Sequence, residues 1–235
     1  MGASVGNGIE AVLFDAGNTL VYVDPFRLTA ILGTVVDGAD AERVRKAELR
    51  ARRHLHEVIA EGHVGTEPEV WRGYFSDLFR GSGVPPEGME EAGQGLREAH
   101  GQDHLWTHVE PGTVEALEAL SGVGYRLGVI SNADGRVEGV LESVGLRAHF
   151  EFVVDSEVVG KEKPDPEIFL DAARRMGLEP GQCLYVGDLY PVDYLGATRA
   201  GMEAVLLDPM GLHDGKAPTV ATLGELPKYL AGPRV

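Results

Sequence analysis

A single cysteine, Cys183, stands in 235 residues, so no intrachain disulfide can close and a reducing, cytoplasmic setting is expected. Long apolar runs are missing too. Stretches such as Ala11 to Phe14 and Ala204 to Leu207 fall far short of the roughly 18 residues of a membrane-spanning helix, which excludes a membrane partner. Positive charge is scarce: 21 Lys and Arg face 37 Asp and Glu, for a formal net charge of −16. Such a surface repels phosphate backbones and anionic lipid, which removes nucleic acid from the expected partners. Residues 1–10 contain neither Lys nor Arg and no long apolar stretch, so no secretion signal is read there. The depletion ends at these points. Hydrophobic residues make up 43% and charged residues 25% of the chain, an ordinary globular profile long enough for one ample domain or a domain with an insertion. Composition leaves the oligomeric state open.

Short strand-like runs recur at wide spacing: Ala11 to Phe14, Arg126 to Ile130, Phe150 to Val154, Cys183 to Val186 and Ala204 to Leu207. Helical patterns lie between them at Thr113 to Leu120, Val137 to Ser143, Glu167 to Met176 and Val192 to Ala200. That alternation predicts an α/β fold, a parallel sheet covered by helices, with ligands outside the carboxyl ends of the strands. Between Asp24 and Glu110 no β-rich run appears. Ala41 to Ala60, Glu69 to Phe79 and Glu90 to Trp106 read as helices, bounded by Asp24-Pro25 and Glu110-Pro111-Gly112. The expected division is a core of residues 1–23 and 109–235 with an all-helical insertion at 24–108.

Four polar clusters follow four of the strands. Asp15-Ala16-Gly17-Asn18-Thr19-Leu20 presents Asp15 at a carboxyl end, as a candidate nucleophile or metal ligand. Ser131-Asn132-Ala133-Asp134-Gly135 offers a hydroxyl and backbone N–H groups before a helix, suited to an anion. Lys161-Glu162-Lys163-Pro164 supplies a cation in Lys163, and Gly187-Asp188 with Asp193 supplies carboxylates of the kind that hold Mg²⁺. Each cluster alone reads equally well as a turn or helix cap. In this order on one parallel sheet, all four converge on one crevice.

These motifs resemble those of the haloacid dehalogenase superfamily. Phe14-Asp15-x-x-x-Thr19-Leu20, Val129-Ile130-Ser131-Asn132, Lys163-Pro164-Asp165-Pro166-Glu167-Ile168-Phe169 and Val186-Gly187-Asp188 with Asp193 are similar to its motifs one to four. The resemblance implies a Rossmann-like three-layer core with a helical cap inserted after the first motif. It implies that Asp15 attacks a phosphoryl group and that Ser131, the backbone at Asn132 and Lys163 grip its oxygens. It also implies Mg²⁺ on Asp15, the carbonyl of Gly17 and Asp188, with Asp193 nearby, and a small phosphorylated metabolite as substrate. The residue types suit that chemistry, because a carboxylate attacks an anionic phosphoryl group only when cations screen the repulsion.

One position departs. The superfamily's phosphatases carry a second aspartate two residues after the nucleophile, and here that position is Gly17, which cannot transfer a proton. Three readings stay open: a phosphatase that is slow or restricted to good leaving groups, a dehalogenase-like or phosphonatase-like hydrolase, and a non-catalytic phosphate-binding protein. Lys46 is the only lysine of the insertion and lies among arginines on a solvent-facing pattern, which argues against a Schiff-base route. His63, in the Gly62 to Glu67 turn, is a candidate substrate contact by analogy with family caps. His100, His104 and His108 would share one face if their helix ran that far, and His54 and His56 point in different directions on theirs. Asp24 reads as punctuation, and Cys183 as inert packing.

Overall fold

The computed structural model describes residues 8–62 and 67–232. The chain divides into two compact units, residues 1–21 with 109–235, and residues 22–108. Its strands are β1 (Ala11–Phe14), β2 (Tyr22–Val23), β3 (Trp106–His108), β4 (Arg126–Ser131), β5 (Val153–Asp155), β6 (Cys183–Gly187), β7 (Glu203–Leu207) and β8 (Thr219–Val220).

The first unit is built on a six-stranded sheet of order β5-β4-β1-β6-β7-β8, parallel throughout. All of β1 and all of β6, including Cys183, are buried, as central strands covered on both faces must be. From β1 the chain order runs outward through β4 to one edge and through β6 and β7 to the other. Such a reversal of strand order opens a crevice at the carboxyl ends, where Asp15, Ser131 and Asp188 emerge.

The helix Pro166–Met176 seals one face. Asp165 caps it by accepting from the Glu167 N–H at 2.9 Å, Pro166 fits its first turn, and Gly177 ends it in the left-handed region at φ 64°. Its Ile168, Phe169, Ala172, Ala173 and Met176 form one buried stripe that packs with Leu13, Ile130 and Tyr185. Gly196 is required by close approach: a Cβ there would lie 2.8 Å from the Phe169 ring and 3.2 Å from the Pro164 Cα.

The second unit holds the helices Pro25–Leu32, Ala41–Ala60, Pro68–Ser82 and Met89–Gln102, with β2 and β3 paired antiparallel. Asp24 caps the first helix, accepting from the Phe26 N–H at 2.8 Å and the Arg27 N–H at 3.2 Å. Inside this unit Glu48 and Arg52 form a buried ion pair at 3.3 Å, and the Tyr74 hydroxyl donates to Glu48 at 3.1 Å. Lys46 is exposed and pairs with Glu42 at 3.3 Å, while His54 is exposed beside Asp77 and His56 is buried. Among the described residues no helix is long and apolar enough to cross a membrane.

Several elements differ from expectation. The helix expected to reach Trp106 stops at Gln102, so His108 lies on β3 and the shared histidine face does not form. The rings of His100 and His104 still stand 4.4 Å apart. The fifth-strand run starts at Val153, and its Phe150 instead turns edge-on to Phe14 at 6.1 Å. The helix expected at Val192 to Ala200 is a π-helical turn, Tyr190–Tyr194, followed by the helix Leu195–Arg199. β2, β3 and β8 have two or three residues each, too short for an alternation to register.

The crowding at Gly196 gives a stability prediction. Gly196→Ala forces the Phe169 ring and the Pro164 backbone to yield, an overpacking cost of about 1–3 kcal/mol. A lowered thermal midpoint in circular dichroism is the expected result, and an unchanged midpoint would show that the Phe169 ring moves freely.

Candidate active site

The loop after β1 is wound around one carbonyl. The N–H groups of Thr19, Leu20 and Val21 all approach the Ala16 oxygen, at 3.3, 2.9 and 3.0 Å, and the Asn18 N–H donates to the Val21 oxygen at 2.8 Å. Asn18 takes the left-handed conformation at φ 57°, which asparagine tolerates better than most residues. The Asp15 N–H donates to the Val186 oxygen at 2.8 Å, fixing the nucleophile candidate to β6 as well as to its own strand. The Thr19 hydroxyl lies 3.4 Å from Asp15 Oδ2.

Lys163 reaches this loop from the opposite bank. Its Nζ lies 2.6 Å from Asp15 Oδ1, 2.7 Å from Asp193 Oδ1 and 2.8 Å from the Tyr185 hydroxyl. The side chain is 2% exposed. Asn132 sets its backbone: the carboxamide oxygen accepts from the Lys163 N–H at 2.7 Å, and the carboxamide nitrogen donates to the Lys163 carbonyl at 2.9 Å. Asn132 therefore spends its side chain on Lys163, and what it offers an anion comes from its main chain. Ser131 is buried at the end of β4.

Asp193 is held by the π-helical turn. Its Oδ2 accepts from the N–H groups of Asp188 and Leu189 at 3.1 and 2.9 Å, while Oδ1 faces Lys163 and Tyr185. Gly187 makes room for it, since a Cβ there would stand 2.4 Å from the Asp193 carboxyl carbon. Carboxylate oxygens of Asp15, Asp188 and Asp193 lie within 4.8 Å of one another, and all three residues are buried.

The electrostatics follow from this crowding. Burial pushes the Asp15 carboxyl up to about 7; the Lys163 ammonium opposes the rise, and Asp193 and Asp188 add to it. For Lys163, burial favours loss of the proton, but Asp15 and Asp193 outweigh it and hold the ammonium above the ordinary lysine range. Burial, then Asp193 and Asp15, raise the Tyr185 phenol well above its usual value, so it stays neutral. Three carboxyl groups face a single ammonium, so the pocket holds surplus negative charge once they ionise. A buried all-oxygen donor set with surplus negative charge fits a hard divalent cation better than a soft one.

The structure thus brings together Asp15, Lys163, Asp188 and Asp193. Gly17 sits in the same loop, its backbone bridged to Val21. His63 lies outside the described residues. Tyr185, whose hydroxyl touches both Lys163 and Asp193, escapes a reading of the sequence because it lies within an apolar strand run; the one available signal is a phenol among aliphatic neighbours, three residues before Asp188.

Comparisons with known proteins accord with this geometry. The profile of the haloacid dehalogenase-like hydrolases matches residues 9–201. The chain is 35% identical over 176 residues to the mouse (Mus musculus) haloacid dehalogenase-like hydrolase domain-containing protein 3, covering 74% of this chain and 70% of that protein. It is 32% identical over 203 residues to a glyceraldehyde 3-phosphate phosphatase of Methanopyrus kandleri, covering 84% of this chain and 83% of that one. Among solved structures, a HAD phosphatase from Thermococcus onnurineus aligns over 97% of this chain and 100% of its own, at 28% identity and a TM-score of 0.62.

The raised Asp15 carboxyl makes a prediction about pH. Its folded-state value of about 7 exceeds the ordinary 3.8, so the folded state binds the extra proton. Asp15's effect on stability therefore worsens as pH rises from about 4 to about 7. With a chelator present at pH 8, Asp15→Asn is expected to melt at or above the wild-type temperature. A lower melting temperature would show that the attraction of Lys163 outweighs burial.

Proposed function

The chain belongs to the haloacid dehalogenase-like hydrolase family, and from that premise we propose that it is a Mg²⁺-dependent phosphatase acting on a small phosphorylated metabolite through Asp15. One observation carries the reading: Asp15 and Asp188 contribute oxygens to a single buried cluster, with the Lys163 ammonium 2.6 Å from Asp15. Asp15, the Gly17 carbonyl and Asp188 would hold the ion, and Asp193 adds its charge. When bound, Mg²⁺ supplies positive charge that screens the phosphoryl oxygens from the attacking carboxylate.

This chain's own groups do the rest. Asp15 attacks phosphorus from the tip of β1 as the bond to the leaving oxygen breaks and that oxygen departs with the electron pair, taking any proton from solvent, and Asp15 carries the phosphoryl group until water displaces it as phosphate. Lys163, Ser131 and the main chain at Asn132 hold the phosphoryl oxygens. The helical unit carries substrate selection, as inserted lids commonly do, with His63 its candidate contact. The buried Cys183 thiol and the lack of disulfides suit a cytoplasmic setting.

Gly17 shapes the substrate preference. Loss of a general acid or base typically costs about 10²–10⁴ in rate, so leaving groups that need no proton, acyl and aryl phosphates, are expected to turn over fastest. Glyceraldehyde 3-phosphate is the first metabolite to test, since that activity is named for the relative at 32% identity. Gly17 also favours a second reading, a dehalogenase-like hydrolase. The two separate cleanly: chloride released from a 2-haloacid in the presence of a chelator supports the second, and Mg²⁺-dependent phosphate release supports the first.

The decisive measurement is phosphate release from acetyl phosphate, p-nitrophenyl phosphate and glyceraldehyde 3-phosphate. Chelation is expected to abolish it and Mg²⁺ to restore it. Asp15→Asn is expected to eliminate turnover, whereas Gly17→Asp preserves or raises it. Activity surviving in Asp15→Asn would exclude Asp15 as the nucleophile.

A further inference from the structure

We propose that Tyr185 is a positioning residue for Lys163, its hydroxyl acting as the third, neutral acceptor that fixes the ammonium beside Asp15. An ammonium carries three N–H donors, and here three acceptors meet it: Asp15 Oδ1 at 2.6 Å, Asp193 Oδ1 at 2.7 Å and the Tyr185 oxygen at 2.8 Å. The head turns only about its Cε–Nζ bond, and with the third acceptor in place every N–H of this buried charge has a partner, so leaving any staggered position breaks all three bonds at once. Tyr185 is itself fixed. Its one hydroxyl proton is shared between the Ile130 carbonyl at 3.1 Å and Asp193 Oδ1 at 3.2 Å, and its ring stands edge-on to Phe169 at 5.0 Å. β4 and β6 flank β1, so the Ile130 carbonyl on β4 reaches across to hold the Tyr185 hydroxyl of β6, and that hydroxyl meets the ammonium beside Asp15.

The third acceptor differs from the other two in being uncharged. Hydrogen bonds from an ammonium to carboxylates are the stronger ones, so the phenol is the contact that orients the head without adding negative charge beside Asp15. The effect on turnover rests on the phosphatase reading; the bracing of the ammonium does not.

Two variants separate the hydroxyl from the ring. Tyr185→Phe keeps the ring, and Tyr185→Met fills similar volume with a flexible chain. In ¹⁵N-labelled protein the Lys163 ammonium is expected to give a slowly exchanging resonance, assigned by its absence in Lys163→Arg; Lys46 and Lys161 are exposed and exchange fast. Both variants are expected to accelerate that exchange about tenfold or more, the effect of one lost contact. With p-nitrophenyl phosphate, kcat is expected to fall about tenfold while KM stays within about twofold, because the charge that attracts the anion remains and only its orientation is lost. If Tyr185→Phe matches wild type in exchange and in kcat while Tyr185→Met does not, the ring alone matters and the proposal is overturned. Should wild type turn over no phosphate ester, the phosphatase reading fails, and the exchange measurement still decides the role of Tyr185.

Discussion

One buried ammonium organises the catalytic face of the core. Lys163 is nearly inaccessible to solvent, and a lone charge so placed would cost several kcal/mol. It persists because Asp15 arrives from the end of β1, Asp193 from the turn after β6, and Tyr185 from β6 itself. Each of the three supplies one acceptor to the ammonium's three N–H donors. The sheet, the π-helical turn and the Asn132 clamp are the means by which segments far apart in sequence meet at one nitrogen.

The charges do not balance within the protein. Burial, with smaller contributions from Asp193 and Asp188, pushes the nucleophile candidate toward its neutral form near pH 7, and a protonated carboxyl is a poor nucleophile. A divalent cation held by Asp15 and Asp188 would supply positive charge that favours the ionised form of Asp15. Protein donors already meet both oxygens of Asp193.

Much of this was legible in the sequence. Asp15, Ser131 and Asp188 follow apolar runs that could only be buried strands, and Lys163 is tied by proline to a helix start, so the family motifs fell where a parallel sheet needs its polar residues. The sequence also identified Gly17 as the departure, and the structure leaves that gap in the described nucleophile loop. Other parts were hidden for physical reasons. The helical period around Val192 does not reveal that Asp193 sits in a wider π turn, although that turn aims its carboxylate back at two N–H groups. Strands of two or three residues at Tyr22 and Trp106 carry no period, and a tyrosine in an apolar run does not announce its hydroxyl. His63 was read only by analogy.

The reciprocal amide pair between Asn132 and Lys163 separates two kinds of chain length. Those residues stand thirty-one positions apart in sequence, and the chain between them crosses the helix Val137–Ser143, the exposed turn at Gly145 and β5. Their backbones are nevertheless registered by two short bonds at the crevice, independent of the path between. Residues gained or lost at the Gly145 turn would be absorbed locally without shifting the lysine. The segment is therefore a place where the core can change size, and accept foreign sequence, with its chemistry left in position.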